Sequence, residues 1–392
     1  MFGDGEITMN QKELNEIRRR FKPDKDSISH IYGCYVNAAR EIVSYMDMSV
    51  GLMSEEEAEI YLKLLKKSIS GTLGKNLLDI EFSTSQVSGS EEHGLLMKLR
   101  GAEIQDEAVR DAFYSKITSA IDMGEQSYVI LLAQDAYDVP FKGGDGESWQ
   151  EASDEVFRYF VCGIYPVKDA TMALRYFAEE KQFRSASTGH IISAPEIGFM
   201  FPAFDERSAN IYNALYYTKD ISEIHSEFID SVFNIENKPM SAGAQRGAFA
   251  ASLCESLETD CSFDVVQAVH EQIREKLAIH KESKEPELPQ MNIDDVEEIL
   301  INSGVDKEKT QAFHRECEKQ FGEDAMLNPG NVIESKKFEI TTPEIKISVN
   351  PKFSYMVETK VIDGRKYILI PAGEGVEING LDVNIEDKSE EA

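Results

Sequence analysis

The sequence predicts an α+β fold: an N-terminal mixed sheet-and-helix domain, a helical middle, and a small C-terminal antiparallel β unit. Three observations carry that expectation. Strand-like and helix-like stretches are interspersed without a regular βαβ rhythm as far as about residue 235. Apolar residues then recur at three- and four-residue spacing through a helical stretch ending near residue 281. Near the end, Asp363-Gly364 and Asn379-Gly380 each sit between strand-like runs, the pattern of type I′ hairpins. A chain of 392 residues exceeds what one core usually organises. The expected parts are an α+β domain over 10–235, a helical segment over 236–281, a helical pair over 291–328 and a β-rich unit over 330–385.

Taken in order, Asn10 with Glu13 has the capping-box spacing and opens a helix that Pro23 stops. Residues 29–48 are β-branched and aromatic on both sides of "NAA", which reads as a hairpin. Ser54 with Glu57 opens a second helix, whose stripe is Ala58, Tyr61, Leu62, Leu64 and Leu65. A strand follows at 77–83, two helical stretches at 91–100 and 103–122, and strands at 128–134 and 156–167, with further strands over 197–203 and 210–218. Ser262 caps a helix carrying Val266, Val269, Ile273 and Leu277. The charged, proline-bearing "KESKEPELPQ" at 281–290 reads as a linker, and Gly304 divides the helical pair that follows. The "PEIKISVNP" run alternates Ile345, Ile347 and Val349 with polar residues, and the acidic end "EDKSEEA" is expected to fray.

Composition excludes several function classes. The longest purely apolar run, "VILLA" at 129–133, is far short of the ~20 residues a membrane-spanning helix needs. The N-terminus has no basic segment leading into an apolar one, so no secretory signal is read. Five scattered cysteines without a C-x-x-C pair suit reduced thiols, and a cytoplasmic location is expected. With 71 acidic residues against 41 basic ones, the long-range field repels polyanions, so neither DNA coating nor a membrane partner is expected.

The motifs for chemistry are weak. "SGTLGKN" at 70–76 has glycines too close for a phosphate loop and no Ser or Thr after Lys75, so it reads as a glycine-capped helix end. "HEQIR" at 270–274 has Arg274 where a zinc-binding helix needs its second histidine, which leaves His270 as a helix-surface residue. The other histidines are dispersed, so neither a metal nor a cofactor is indicated. "VSGSEEHG" lacks the setting of a nucleophile elbow, and Ser90 reads as a helix cap.

Two places stand out. Arg18, Arg19, Arg20, Lys22 and Lys25 fall within eight residues of a chain whose formal net charge is -30. Guanidinium groups bind phosphate or carboxylate in two-pronged fashion, and consecutive helical residues point about 100° apart, so the arginines cannot all serve one partner. They either neutralise acids elsewhere on this chain or meet an external anion, a protein or ribonucleoprotein among them. The second place follows the strand at 128–134: Asp135 and Asp138, then a glycine-rich loop over 139–153 with Asp145 and the only tryptophan, Trp149. That loop lacks the ligand alternation of a calcium-binding EF-hand.

"NEIRRRFKPDKDSISHIYGCYVN", "SGTLGKNLLDIEFSTSQV", "LLAQDAYDVPFKG", "FPAFDERSANIYNALYYT", "VVQAVHEQI" and "DGRKYILIPAGEGVEING" together resemble a bacterial family, mainly of Gram-positive anaerobes, known only as a domain of unknown function. The resemblance covers nearly the whole chain from Met9 and implies no activity, cofactor or catalytic residue. Two expectations of function follow from the residues. One is a cytoplasmic, non-enzymatic interaction or regulatory protein with a basic N-terminal contact patch, directed toward RNA or the ribosome in its narrowest form; it expects Arg18 to Arg20 to be exposed. The other is an enzyme with a carboxylate site near Asp135 and Asp138, covered by the 139–153 loop; it expects convergent carboxylates in a pocket. The sequence leaves the oligomeric state open.

Overall fold

The computed structural model describes residues 9–25, 27–142, 148–149, 156–169, 172–186, 189–323, 325–373 and 375–385. The fold is α+β, and the described residues divide into two compact units, 9–245 with 285–288, and 246–284 with 289–385. Among the described residues, no helix is long and apolar enough to cross a membrane.

The first unit is built on one antiparallel sheet. Its strands are β1 (His30–Val36), β2 (Ile42–Ser49), β3 (Leu77–Glu81), β4 (Tyr128–Asp138), β5 (Val156–Asp169), β6 (His190–Ile192), β7 (Ile197–Phe201) and β8 (Asn213–Thr218). They run in the order β2-β1-β4-β5-β7-β8-β3, with β6 also paired to β5. Helices α1 (Gln11–Arg18) and α2 (Glu55–Lys67) pack on one face; α3 (Glu91–Arg100), α4 (Glu107–Ala120) and α5 (Ser226–Val232) pack on the other. Burial on both faces explains why β4 reads as an unbroken apolar run instead of an alternating one. Tyr128, Ile130 and Leu132 join the core under α3–α5, while Val129, Leu131 and Ala133 join the core under α1 and α2.

Side-chain caps start the helices where the sequence places them: Asn10 closes a full capping box, and Ser54 and Ser90 each accept from a backbone N–H of the first turn. The strand at 128–134 is longer than its apolar run, because β4 continues through the polar residues to Asp138. The glycine-capped end expected at 70–76 is corrected: α2 stops at Lys67 with Ser68 as its cap, and Gly74 (φ 71°) sits in a turn further on. Ser68 has to be where the helix stops, since it lies flush on Gly163 and Gly198, which face each other across β5 and β7. A Cβ on either glycine would collide with Ser68.

The second unit packs α6 (Ala242–Leu257), α7 (Phe263–Ser283), α8 (Ile293–Asn302) and α9 (Lys307–Phe321) around Phe249, Val269, Ile273, Val296, Leu300 and Phe313. Ser262 caps α7, which runs to Ser283 before Lys284 (φ 57°) ends it. Gly304 (φ 84°) makes the turn between α8 and α9. Past residue 337, β9 (Phe338–Thr341) pairs with β10 (Lys346–Val349), β11 (Glu358–Ile362) with β12 (Arg365–Leu369), and β13 (Val376–Ile378) with β14 (Leu381–Val383). The Asp363-Gly364 and Asn379-Gly380 turns have positive φ at both positions, 50° and 78° then 51° and 83°, which is the type I′ geometry.

Candidate functional site

The basic stretch and Asp135, which the sequence presents as separate candidates, meet in one cluster under α1. The capping box holds the start of α1, with Asn10 Oδ1 accepting from the Glu13 N–H at 3.1 Å and Glu13 Oε2 accepting from the Asn10 N–H at 3.0 Å. Leu14 and Ile17 bury the apolar face of the helix, so the residues flanking them decide where the charges go. Arg18 turns toward the segment after α2. Its Nε donates to the Ile69 carbonyl at 2.9 Å, and its Nη2 donates to the carbonyls of Ile69 at 2.7 Å and Gly71 at 2.9 Å. Arg20 turns toward the sheet, where its guanidinium forms a two-pronged pair with the Asp135 carboxylate, Nε to Oδ2 and Nη2 to Oδ1 at 2.9 Å.

Asp135 is buried on the α1 face of β4, and its cross-strand neighbour Tyr159 donates its hydroxyl proton to Asp135 Oδ2 at 2.9 Å. The Arg20 guanidinium also lies 4.4 Å from the centre of the Tyr137 ring. Tyr137 donates to Glu16 Oε1 at 2.5 Å, Arg207 Nη1 donates to Glu16 Oε2 at 2.8 Å, and the Arg207 backbone N–H donates to Glu13 Oε1 at 3.2 Å. Acids and cations alternate through the cluster. Burial lowers the affinity of Arg20 for its proton, but the Asp135 hydrogen bond and charge outweigh it and the net shift is upward. Burial pushes the Tyr159 hydroxyl well above its ordinary value, and the charge of Asp135 adds to that. Burial likewise raises Glu13, against the opposing pull of the two N–H groups it accepts from.

Such an arrangement can hold a helix on a sheet, but it offers no free base or acid. The Asp135 carboxylate is engaged by Arg20 and Tyr159, and Arg18 and Arg20 face the interior of their unit, unlike the exposed arginines the contact-patch reading expects. Arg19, Lys22 and Lys25 are exposed. The structure does not bring Asp135 and Asp138 together: they differ in parity along β4, and Asp138 is exposed at its end. Asp145 lies outside the described residues, and of Trp149 the structure describes only its strand pairing with Phe141.

His93 is a satisfied core histidine, with Nε2 2.9 Å from the Ile211 carbonyl and its ring edge-on to Phe82 and Phe201. His270 departs from the surface position expected of it, because it packs edge-on to Phe338, and burial together with Arg246 and Arg274 lowers its pKa. The group that sequence reading misses is Asp294, Glu297 and His314, whose potential ligand atoms all lie within 4.8 Å of one another. Its members come from α8 and α9, so no contiguous motif announces them. A signal was present in the spacing: Asp294 and Glu297 are three apart on one helix of the expected pair, and His314 lies on the other.

Fold and cluster together define a two-unit α+β protein in which Arg20, just past α1, is paired with Asp135 of β4. Residues 9–381 match the family model "Domain of unknown function (DUF4317)", and the chain belongs to that family. No curated protein matches it.

Proposed function

We propose that this protein is a cytoplasmic, non-enzymatic interaction protein that meets an anionic partner, RNA or a ribonucleoprotein surface, through Arg19, Lys22 and Lys25. The observation that supports this reading is the division of labour within the basic stretch. Arg18 and Arg20 are bonded to carbonyls and to Asp135, which anchors the end of α1, and the three cations left exposed are thereby held at one place on a chain of net charge -30. Salt screens the distant acids over about 8 to 10 Å, so a local cluster acts at contact range even where the overall field is repulsive. The enzyme reading has less support, since it needs an available carboxylate where Asp135 is already paired.

The test is binding of a fluorescent single-stranded RNA to the full-length chain across a salt series, beside Arg19→Ala/Lys22→Ala/Lys25→Ala. The parent should bind with an affinity that falls as salt rises, and the triple variant should lower the slope of log K against log salt by about 2, at about 0.7 per phosphate contact. Its melting temperature should match that of the parent. RNA binding with the same slope in both proteins, or no binding by the parent, would overturn the proposal. Substituting Arg18 or Arg20 instead tests folding, because both are bonded inside their unit.

A further inference from the structure

Helices α8 and α9 form a hairpin whose contact buries Val296 and Leu300 from one helix and Phe313 and Cys317 from the other. On the margin of that contact, three-residue spacing places Asp294 beside Glu297, and four-residue spacing places His314 beside Glu318. The two pairs converge. His314 Nδ1 lies 3.2 Å from Glu297 Oε2 and 3.4 Å from Asp294 Oδ1, while its Nε2 lies 3.4 Å from Glu318 Oε1.

We propose that Asp294, Glu297 and His314 bind a divalent first-row transition ion such as Zn2+, with Glu318 orienting the imidazole. Ligand atoms about 2.1 Å from a shared ion, at octahedral to tetrahedral angles, stand about 3.0 to 3.4 Å apart, and both nitrogen–oxygen distances fall in that interval. The two ring nitrogens face different carboxylates, Nδ1 toward Glu297 and Asp294 and Nε2 toward Glu318. Nδ1 is within hydrogen-bond distance of Glu297, and in the tautomer that carries its proton on Nε2, 3.4 Å from Glu318 Oε1, it presents a lone pair there, as in sites where a carboxylate holds a metal-bound histidine. A lone pair aimed at two carboxylates is repulsive unless a positive charge lies between them. The nearby lysines do not supply it: Lys276 pairs with Asp295 at 2.7 Å and Lys319 with Glu316 at 2.7 Å. What remains is a proton on Nδ1 or a metal ion.

A mixed nitrogen and oxygen donor set favours zinc-type ions over magnesium or calcium, which take oxygen ligands. Asp294 is exposed, so the ion would keep a position open to water. Bound there, it ties α8 to α9 and stabilises the helical hairpin, and its affinity falls as acid protonates the histidine.

The test takes the full-length chain freed of metal by a chelator. Zn2+ followed by titration calorimetry, and Co2+ followed by visible absorption, should each bind one equivalent, and Zn2+ should raise the melting temperature. His314→Ala should weaken Zn2+ binding at least a hundredfold, and Glu297→Gln and Glu318→Gln about tenfold each. Should a variant fail to fold, the parent supplies its own readout, because the His314 ring resonances should shift as Zn2+ is added. No saturable binding, binding undiminished in folded His314→Ala and Glu297→Gln, or His314 ring resonances unmoved by Zn2+ would each overturn the proposal. The last result would leave these side chains a hydrogen-bonded cluster that holds no ion.

Discussion

The Arg20–Asp135 cluster of the sheet unit and the His314 cluster of the helical unit use similar groups and differ in closure. In the first, the cation is supplied by the chain itself: Arg20 meets Asp135, Tyr159 completes the carboxylate's contacts, and Arg207 meets Glu16. In the second, three carboxylates face one imidazole, and Asp294 is open to solvent. The difference teaches how to tell architecture from a site. A buried carboxylate whose lone pairs are filled by groups on neighbouring elements holds those elements together, whereas convergent donors with an uncompensated charge have something left to bind.

Removing an acid should therefore have very different consequences in the two places. Asp135→Ala strands a half-buried guanidinium beneath α1, and breaking a buried pair in this way costs about 3 to 5 kcal/mol. Urea unfolding of the full chain should show the loss in the transition that reports on the sheet unit, and the paired change Arg20→Met/Asp135→Leu should recover most of it, because no charge is then left alone. A loss below about 1 kcal/mol for the single variant would place this pair among exposed ion pairs and erase the contrast. Tyr159→Phe removes one hydrogen bond to the same buried carboxylate and leaves the ion pair standing. Its expected cost is smaller, about 1.5 to 3 kcal/mol, the range for hydrogen bonds to charged groups.

Much of the fold was legible because its signals are local. Asn10, Ser54, Ser90 and Ser262 all accept from first-turn N–H groups, and both hairpin dipeptides adopt the positive φ that their residue types tolerate. The end of β4 was not legible. Asp135 and the residues after it look like the start of a loop, yet Asp135 is held in the strand by a distant partner, Arg20, 115 positions away in sequence. The basic stretch was visible as an anomaly of charge, but which arginines turn inward depends on where Leu14 and Ile17 seat the helix. For His314 the helical pair was readable and the facing of its margins was not, since that depends on how Val296 and Leu300 meet Phe313 and Cys317.

Glu13 offers a pH-dependent version of the contrast. Burial raises its native pKa above the value it has when unfolded, so the native state holds this proton more tightly than the unfolded chain. Its stabilising contribution is complete below the unfolded pKa and is lost as pH rises through the native one. Glu13→Gln should flatten the fall in stability on the neutral side of pH 4.5, read from urea midpoints across a pH series; an unchanged profile would show that the carboxylate titrates as an exposed one does.

The smallest effect belongs to the open cluster. Without metal, Glu297→Gln removes one of three like charges around His314 at a partly exposed position, so the melting temperature should stay within the range of a surface substitution, about 0.5 kcal/mol in either direction. A loss of several kcal/mol from metal-free Glu297→Gln would mean that the imidazole and its carboxylates already form a closed ion pair as tight as Arg20 with Asp135. The two clusters would then be the same kind of structure, and the distinction between a filled and an open arrangement would fail at its own test.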